Sequence, residues 1–449
     1  MTSEQPVPLK NRAIRGSILT LLNNGGSQVL RLASSLILSR LLFPRDFGLM
    51  ALVQSFMFGL EMFSDVGVVQ SIIHNKRGDD PIFLNTAWTI QAIRGIGLWI
   101  CAGLLAVPAA HFYGEPALAQ ILPVVGISAF LSGLNSTKMA TMNRQIKLGK
   151  LTVMELGCQA ITLISTVLLA FFLRSVWALV IGGIFSTFLR MLATHFYLEG
   201  DRNFFCWNKE AFQELRGFGQ WIFLSSIMGY LAIQGDRLVL GRIFDVTFLG
   251  VYMVALTFSL MPTEVTRQVV TRVFFPSYAE IVRTRPERLY ATLKKSRFVL
   301  LGLSWAASLF LFFFGSYMIR FLYPATFAGA AWMLPLLALG TLGISISASY
   351  DSIFLATGNS KVKAGLVGME AATKLVAMIA GYYLGQKSGV NLGGQIGGVI
   401  GVASSSWLYY PFEAICLKRI SMLQLEIDLP LIGIAALLAV GTYLTWSGV

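Results

Sequence analysis

The chain is a succession of long apolar runs separated by short polar turns. Thirteen of these runs reach the length, about 20 residues, that a helix needs to cross the hydrocarbon core of a bilayer. They cover residues 17–38, 47–72, 82–108, 117–140, 151–173, 175–198, 217–238, 247–266, 298–318, 331–356, 363–384, 394–416 and 429–447. A membrane β-barrel would instead show alternation in segments of about 10 residues. The expectation is an all-α polytopic membrane protein.

Polar residues inside the runs recur at helical spacing. Asn24, Gln28, Arg31 and Ser35 form one stripe on the first helix, and Gln54, Glu61 and Asp65 share a face of the second. Ser226, Tyr230, Gln234 and Arg237 form a stripe on the seventh. Lipid offers such groups no hydrogen bonds, so Asn24, Gln28, Gln54 and Gln234 are expected to line a wet cavity.

The pattern repeats. Arg40-Leu41-Leu42 followed by Phe47-Gly48 is echoed, 202 residues later, by Arg242-Ile243-Phe244 followed by Leu249-Gly250. Six helices separate the copies, so both start on the same side of the membrane. This predicts two parallel six-helix bundles related by a pseudo-two-fold axis along the membrane normal, the arrangement in which transporters bind substrate between halves. The expected divisions are 1–199 for the first lobe, 200–216 for a cytoplasmic linker, 217–417 for the second lobe, and 418–449 for a turn plus an additional helix.

Lys and Arg set the orientation. With the N-terminus in the cytoplasm, 24 bases fall on the inner side and 7 on the outer, loop by loop, as the positive-inside rule requires. The richest inner segment holds Arg267, Arg272, Arg283, Arg285, Arg288, Lys294, Lys295 and Arg297, around a loop expected over 275–296. The first apolar run is too long for a signal-peptide core and reads as a retained helix.

Composition narrows the class further. Only 13% of the residues are charged and 55% are hydrophobic, with a mean hydropathy of +0.68; a soluble domain carries about 25% charged residues. The net charge of +13 is spread over short turns, which fits anionic headgroups and excludes a nucleic-acid surface. Cys101, Cys158, Cys206 and Cys416 stand apart as small apolar packers, and His74, His111 and His195 form no ligand cluster. There is no nucleotide-binding P-loop. Neither metal nor cofactor is expected. Every outward turn is short, which leaves no room for the extracytoplasmic chemistry of a membrane polymerase or glycosyltransferase.

Several segments together resemble a known family. Arg40-Leu-Leu-Phe-Pro-Arg-Asp-Phe-Gly48, Glu61-Met-Phe-Ser-Asp65-Val-Gly67, Asn143-Arg144, Gly250-Val-Tyr-Met-Val-Ala255 leading to Phe275-Pro276, Phe321-Leu-Tyr-Pro324 and Ala356-Thr-Gly358 follow one another as in the polysaccharide transporters. The chain resembles most the Wzx-like and teichuronic- or colanic-acid-type exporters of the multidrug/oligosaccharidyl-lipid/polysaccharide superfamily. The resemblance implies a MATE-like V-shaped cavity and export of undecaprenyl-diphosphate-linked oligosaccharides across the bacterial inner membrane by alternating access. It also implies membrane lipids and a polysaccharide polymerase as partners. Members of the family commonly carry fourteen helices, whereas here one apolar run follows residue 420. A lipid II flippase and an ion-coupled multidrug exporter of the same superfamily are the alternatives.

A diphosphate substrate wants guanidinium or ammonium groups. Arg31, Arg94, Arg237 and Lys374 are the candidates, each with the alternative that it only completes an ion pair; Glu370 stands four residues before Lys374, and Asp236 adjoins Arg237. Glu61 and Asp65, one turn apart, and Asp351, among Ser345, Ser347 and Ser349, are candidates for a coupling proton or sodium ion. Pairing with Arg31 or Arg94, or plain helix packing, is the competing reading. Glu155, Arg190, Glu264 and Glu413 read as side chains reaching for headgroups.

Overall fold

The computed structural model describes the backbone of residues 9–65, 67–145, 148–219, 222–389 and 392–447, and the side chains of these from residue 25 onward except 148, 216–219, 222–225, 272 and 443–447. All regular structure among them is helical. The helices are α1 (Leu9–Leu41), α2 (Pro44–Phe63), α3 (Val68–His74), α4 (Pro81–Tyr113), α5 (Ala117–Gly133), α6 (Lys138–Arg144), α7 (Leu148–Leu173), α8 (Trp177–Phe196) and α9 (Lys209–Gly219). They continue with α10 (Ile222–Ile243), α11 (Val246–Val269), α12 (Phe275–Thr284), α13 (Leu289–Leu322), α14 (Ala330–Ala356), α15 (Ser360–Lys387), α16 (Gly393–Arg419) and α17 (Leu425–Ser447).

Among the described residues each of the thirteen apolar runs lies mainly on helix. Among the described residues nine helices are by themselves long and apolar enough to cross a membrane, and α5 with α6, bent by 54°, makes a tenth. The other three runs lie in α1, α10 and α16, where polar and glycine positions dilute the apolar ones.

Local chemistry sets the breaks. Asp80 caps α4 by accepting from the Ile82 N–H at 3.0 Å, with Pro81 at the first helical position, and Asp245 caps α11 by accepting from the Phe248 N–H at 2.8 Å. The run 47–72 is broken between α2 and α3, where Gly67 takes φ of 69° and Asp65 accepts from its N–H. The α1–α2 and α10–α11 corners occupy equivalent places in the repeat, with the same offset of 202 residues between helix ends.

The stretch 275–296 is not the loop expected from sequence. A π-helical turn at Val270–Phe274 leads into α12, and α13 starts at Leu289. Consequently Arg297 sits two turns inside α13 rather than in the cytoplasmic loop.

The chain forms two compact units, Met1–Ile227 and Met228–Val449, divided within α10. In the first, α4 lies along α5, and α7 lies along α8 and α1. Several bases counted for topology turn out to hold this unit together. Lys138 is buried and donates to the carbonyls of His195 and Leu198 at the end of α8, at 2.9 and 3.2 Å. Arg144 donates to the carbonyls of Ile72, Ile73 and Asn75 at the end of α3. Both place positive charge where a helix exposes unpaired carbonyls. Residues of the expected linker are strapped onto the same unit: the N–H groups of Phe204, Cys206 and Asn208 donate to Asn85, Thr89 and Thr86 of α4.

In the second unit α14 is the hub, touching α11, α13, α15, α16 and α17. Two seams of small residues shape it. Along α15 and α16, Gly381, Gly385, Gly393, Gly397 and Gly401 bring backbone onto backbone; a Cβ at Gly397 would lie 2.0 Å from the carbonyl oxygen of Gly381. Between α14 and α16, Gly340 meets the backbone of Ala403 in the same way. The additional helix α17 is fastened by a buried cluster. Arg297 donates to Asp428 at 2.6 Å, with both side chains at 0% exposure. Ser349, Tyr350 and Gln424 accept further hydrogen bonds from the guanidinium, and the hydroxyls of Tyr350 and Tyr410 both donate to Asp428 at 2.8 Å.

Candidate functional site

Each unit contains a polar cavity among apolar helices. That of the first unit, about 290 Å³, is lined by Glu61, Gln91, Arg94, Asn135, Asn143 and Arg190 among others. Arg94 projects from α4 and donates to Ser64 Oγ at 2.9 Å and to the carbonyl of Glu61 at 2.7 Å, closing the C-terminal end of α2. Arg190 makes an ion pair with Glu155 at 3.5 Å, so neither simply reaches for headgroups. The Asn135 side-chain oxygen is buried with no hydrogen-bond partner among the described residues.

Glu61 and Asp65 do not converge. Glu61 faces this cavity near Arg94, whereas Asp65 turns back to the Gly67 N–H at the helix break. Arg31 is exposed on α1 and is not among the residues that line the cavity with Arg94. Gln28 is half-buried on α1 and Gln54 exposed on α2; neither lines it. Asn24 lies in α1, outside the described side chains.

The cavity of the second unit is larger, about 440 Å³, and far richer in charge. Asp236 and Arg237 reach it from α10, Glu264 and Arg267 from α11, Asp351 from α14, and Lys363, Glu370 and Lys374 from α15. Bases and acids are matched in number, and three of the bases are paired. Lys374 pairs with Asp236 at 3.6 Å, not with Glu370 one turn away, and donates to the Ala232 carbonyl at 2.7 Å. The fully buried Asp236 also accepts from the Tyr252 hydroxyl at 2.6 Å. Asp351 pairs with Lys363 and, at 4.0 Å, with Arg267. Lys363 and Arg267, both expected at the cytoplasmic surface, thus line the cavity.

Arg237 differs from the other three. It lines the cavity and, among the described residues, makes no ion pair within 4 Å; its buried Nε, like that of Arg267, has no hydrogen-bond partner there. A buried N–H without a partner costs about 1–3 kcal/mol, and the neighbouring Asp236 is already engaged by Lys374 and Tyr252, so an anion admitted to this cavity finds a ready contact. Of the candidate residues, then, the structure brings together Arg237, Lys374 and Asp351; Gln234 is buried one turn before Arg237 but does not line the space. Sequence reasoning missed Arg267, Lys363 and Asp236 as cavity groups.

A model of the family described as "Polysaccharide biosynthesis protein" matches residues 37–331, more than half of the chain, with the lining of the first cavity and the α10 and α11 walls of the second. The chain belongs to this polysaccharide biosynthesis family. Among curated proteins it is similar to the lipopolysaccharide biosynthesis protein WzxC of Escherichia coli (strain K12), 23% identical over 56% of this chain and 51% of that protein. It is likewise similar to the succinoglycan biosynthesis transport protein ExoT of Rhizobium meliloti (strain 1021), 22% identical over 61% and 55%. The amylovoran biosynthesis protein AmsL of Erwinia amylovora is 23% identical over 59% and 70%. The matched stretch thus spans about half the length of the first two relatives. Among solved structures, an inward-facing multidrug resistance MATE family transporter of the MOP superfamily superposes with a TM-score of 0.64 at 14% identity, over 88% of this chain and 95% of that one. A MATE transporter in complex with MaL6 gives 0.57 at 15% identity, over 92% and 97%. The fold is therefore that of the MATE transporters, and this member of the polysaccharide biosynthesis family is an all-α, multi-pass membrane protein.

Proposed function

We propose that this protein is a flippase that carries undecaprenyl-diphosphate-linked oligosaccharide units across the bacterial inner membrane by alternating access, for assembly of a surface polysaccharide. In this reading 1–199 and 217–417 act as the two lobes, the N-terminus is cytoplasmic, and an ion gradient or downstream polymerisation drives the cycle. The observation that carries it is Arg237: alone among the four bases of its cavity it makes no ion pair within 4 Å among the described residues, which leaves its guanidinium for a diphosphate. Family membership and the transport protein among the relatives support it. Arg94 serves the same end in the first unit, while Lys374 is a base that a diphosphate must win from Asp236.

The test is purified protein in proteoliposomes loaded with a fluorescent undecaprenyl-diphosphate saccharide, followed by loss of signal to an impermeant quencher. One charge-assisted contact contributes roughly 1.5–3 kcal/mol, so Arg237→Ala should lower apparent affinity about tenfold or more. Arg237→Lys should restore part of it. Unchanged flipping by a properly inserted Arg237→Ala protein would refute the role of this residue. Absence of flipping by the wild type, with drug efflux instead, would refute the function.

A further inference from the structure

Glu413, on α16 behind the wall of the second cavity, has no role in the reading so far. Rather than reaching for headgroups it is at 0% exposure, and neither carboxyl oxygen has a hydrogen-bond partner among the described residues. The groups facing it are Ser347 and Asp351 from α14, Lys363 and Glu370 from α15, and Tyr409 and Tyr410 on its own helix. Lys363 is engaged by Asp351, and the Ser347 hydroxyl, without any other partner, is the one neutral donor turned toward Glu413. A carboxylate in such a place would be wholly buried beside two further acids, Asp351 and Glu370, with only Ser347 and the engaged Lys363 to answer it, whereas the neutral acid carries no charge to desolvate. Ser347, Asp351, Lys363, Glu370 and Tyr409 all line the cavity, so a proton has a route of one side-chain layer.

We infer that Glu413 is a proton-binding site through which the charge arrangement of the second cavity responds to the proton gradient; the coupling role rests on the transport reading above, the site itself does not. When Glu413 gives its proton to the cavity, a carboxylate remains. Lys363 then has two acids to choose between, Asp351 and Glu413. If it turns to Glu413, Asp351 is left to Arg267, and the links between α11, α14, α15 and α16 are re-sorted. A proton suits the site better than a metal ion, for which no group of three or more His, Cys, Asp or Glu ligands comes together among the described residues.

Infrared difference spectroscopy of the purified protein in lipid tests this without substrate. The expected result is a protonated-carboxyl carbonyl band at neutral pH that shifts in heavy water. It should be lost in Glu413→Gln, kept in Asp351→Asn, and decline as the pH is raised. Isotopic labelling of glutamate in the wild type assigns the band to a glutamic acid even if the variants insert poorly. No labelled protonated band at neutral or acidic pH overturns the proposal, as does a band that never declines at alkaline pH. A titrating Glu413 band together with failed flipping refutes the proposed function and leaves this site standing.

Discussion

The fastening of α17 allows a sharp energetic test. Arg297 and Asp428 are both wholly buried and joined at 2.6 Å, with the ring of Tyr350 3.5 Å beneath the guanidinium carbon. Removing one partner of such a pair leaves a buried charge without its counter-charge, which costs about 3–5 kcal/mol. Asp428→Asn keeps the shape and removes the charge, so it should destabilise the second unit by that amount; Arg297→Met should do the same. The pair as a whole is a different matter, because its attraction is largely spent on desolvation. Arg297→Met with Asp428→Leu should therefore cost clearly less than the two single losses added, the remainder coming from the Tyr350 and Tyr410 hydroxyls that no longer have Asp428 to donate to, about 1–3 kcal/mol each. Denaturant unfolding in mild micelles gives the stabilities, and thiol labelling of a cysteine placed at the buried Ala435 reports whether α17 detaches. If Asp428→Asn lies within about 0.5 kcal/mol of wild type, a range typical of inconsequential surface changes, the pair does not hold α17. If the double variant is as unstable as the two single losses added, the charges do not act as a pair.

Two further outcomes follow from local geometry. Gly397→Ala would press a Cβ against the Gly381 carbonyl and should cost at least the 1–3 kcal/mol typical of overpacking; Gly365→Ala, with nothing within 4 Å on α15, should gain up to about 1 kcal/mol in thermal unfolding. At the polar end of α4, the hydrogen bond from Arg77 holds the Asp80 carboxyl below its usual range. A depressed carboxyl stabilises above its ordinary value and loses that contribution as pH falls through the folded value. Asp80→Asn, which still caps the helix, should thus differ from wild type by little at neutral pH and by nothing in strong acid; Asp80→Ala should cost about 1 kcal/mol in unfolding at both.

Hydrophobic runs carry most of the fold because lipid enforces them: among the described residues the thirteen stretches lie mainly on helix, and the α1–α2 and α10–α11 corners sit where the repeated Arg40 and Arg242 segments put them. What periodicity hides is partnership. Arg297, Lys363 and Arg267 follow one another in the sequence like loop and helix-end bases, yet α13 begins early enough to bury Arg297, and Asp351 draws the other two inward. Lys374 had an obvious neighbour in Glu370, one turn away, but α10 presents Asp236 from another helix. Glu413 near a helix end looked exposed because the reading had no knowledge of what covers it. The glycine seam did leave a signal, with Gly381 and Gly385 spaced by four and Gly393, Gly397 and Gly401 likewise, the small-residue spacing of close helix pairs.

That seam also limits how the second unit can rearrange. Helices in contact through side chains can slide by exchanging rotamers, but α15 and α16 meet through peptide groups that have no rotamers to exchange. The two helices therefore shift as a single slab, and Lys363, Glu370 and Lys374 travel together with Tyr409 and Glu413. Relative motion is confined to the borders of the slab with α10, α11 and α14, where Asp236, Arg267 and Asp351 stand. Every interhelical ion pair of the cavity that involves a lysine crosses such a border, so each acts as a clutch between the slab and its surroundings.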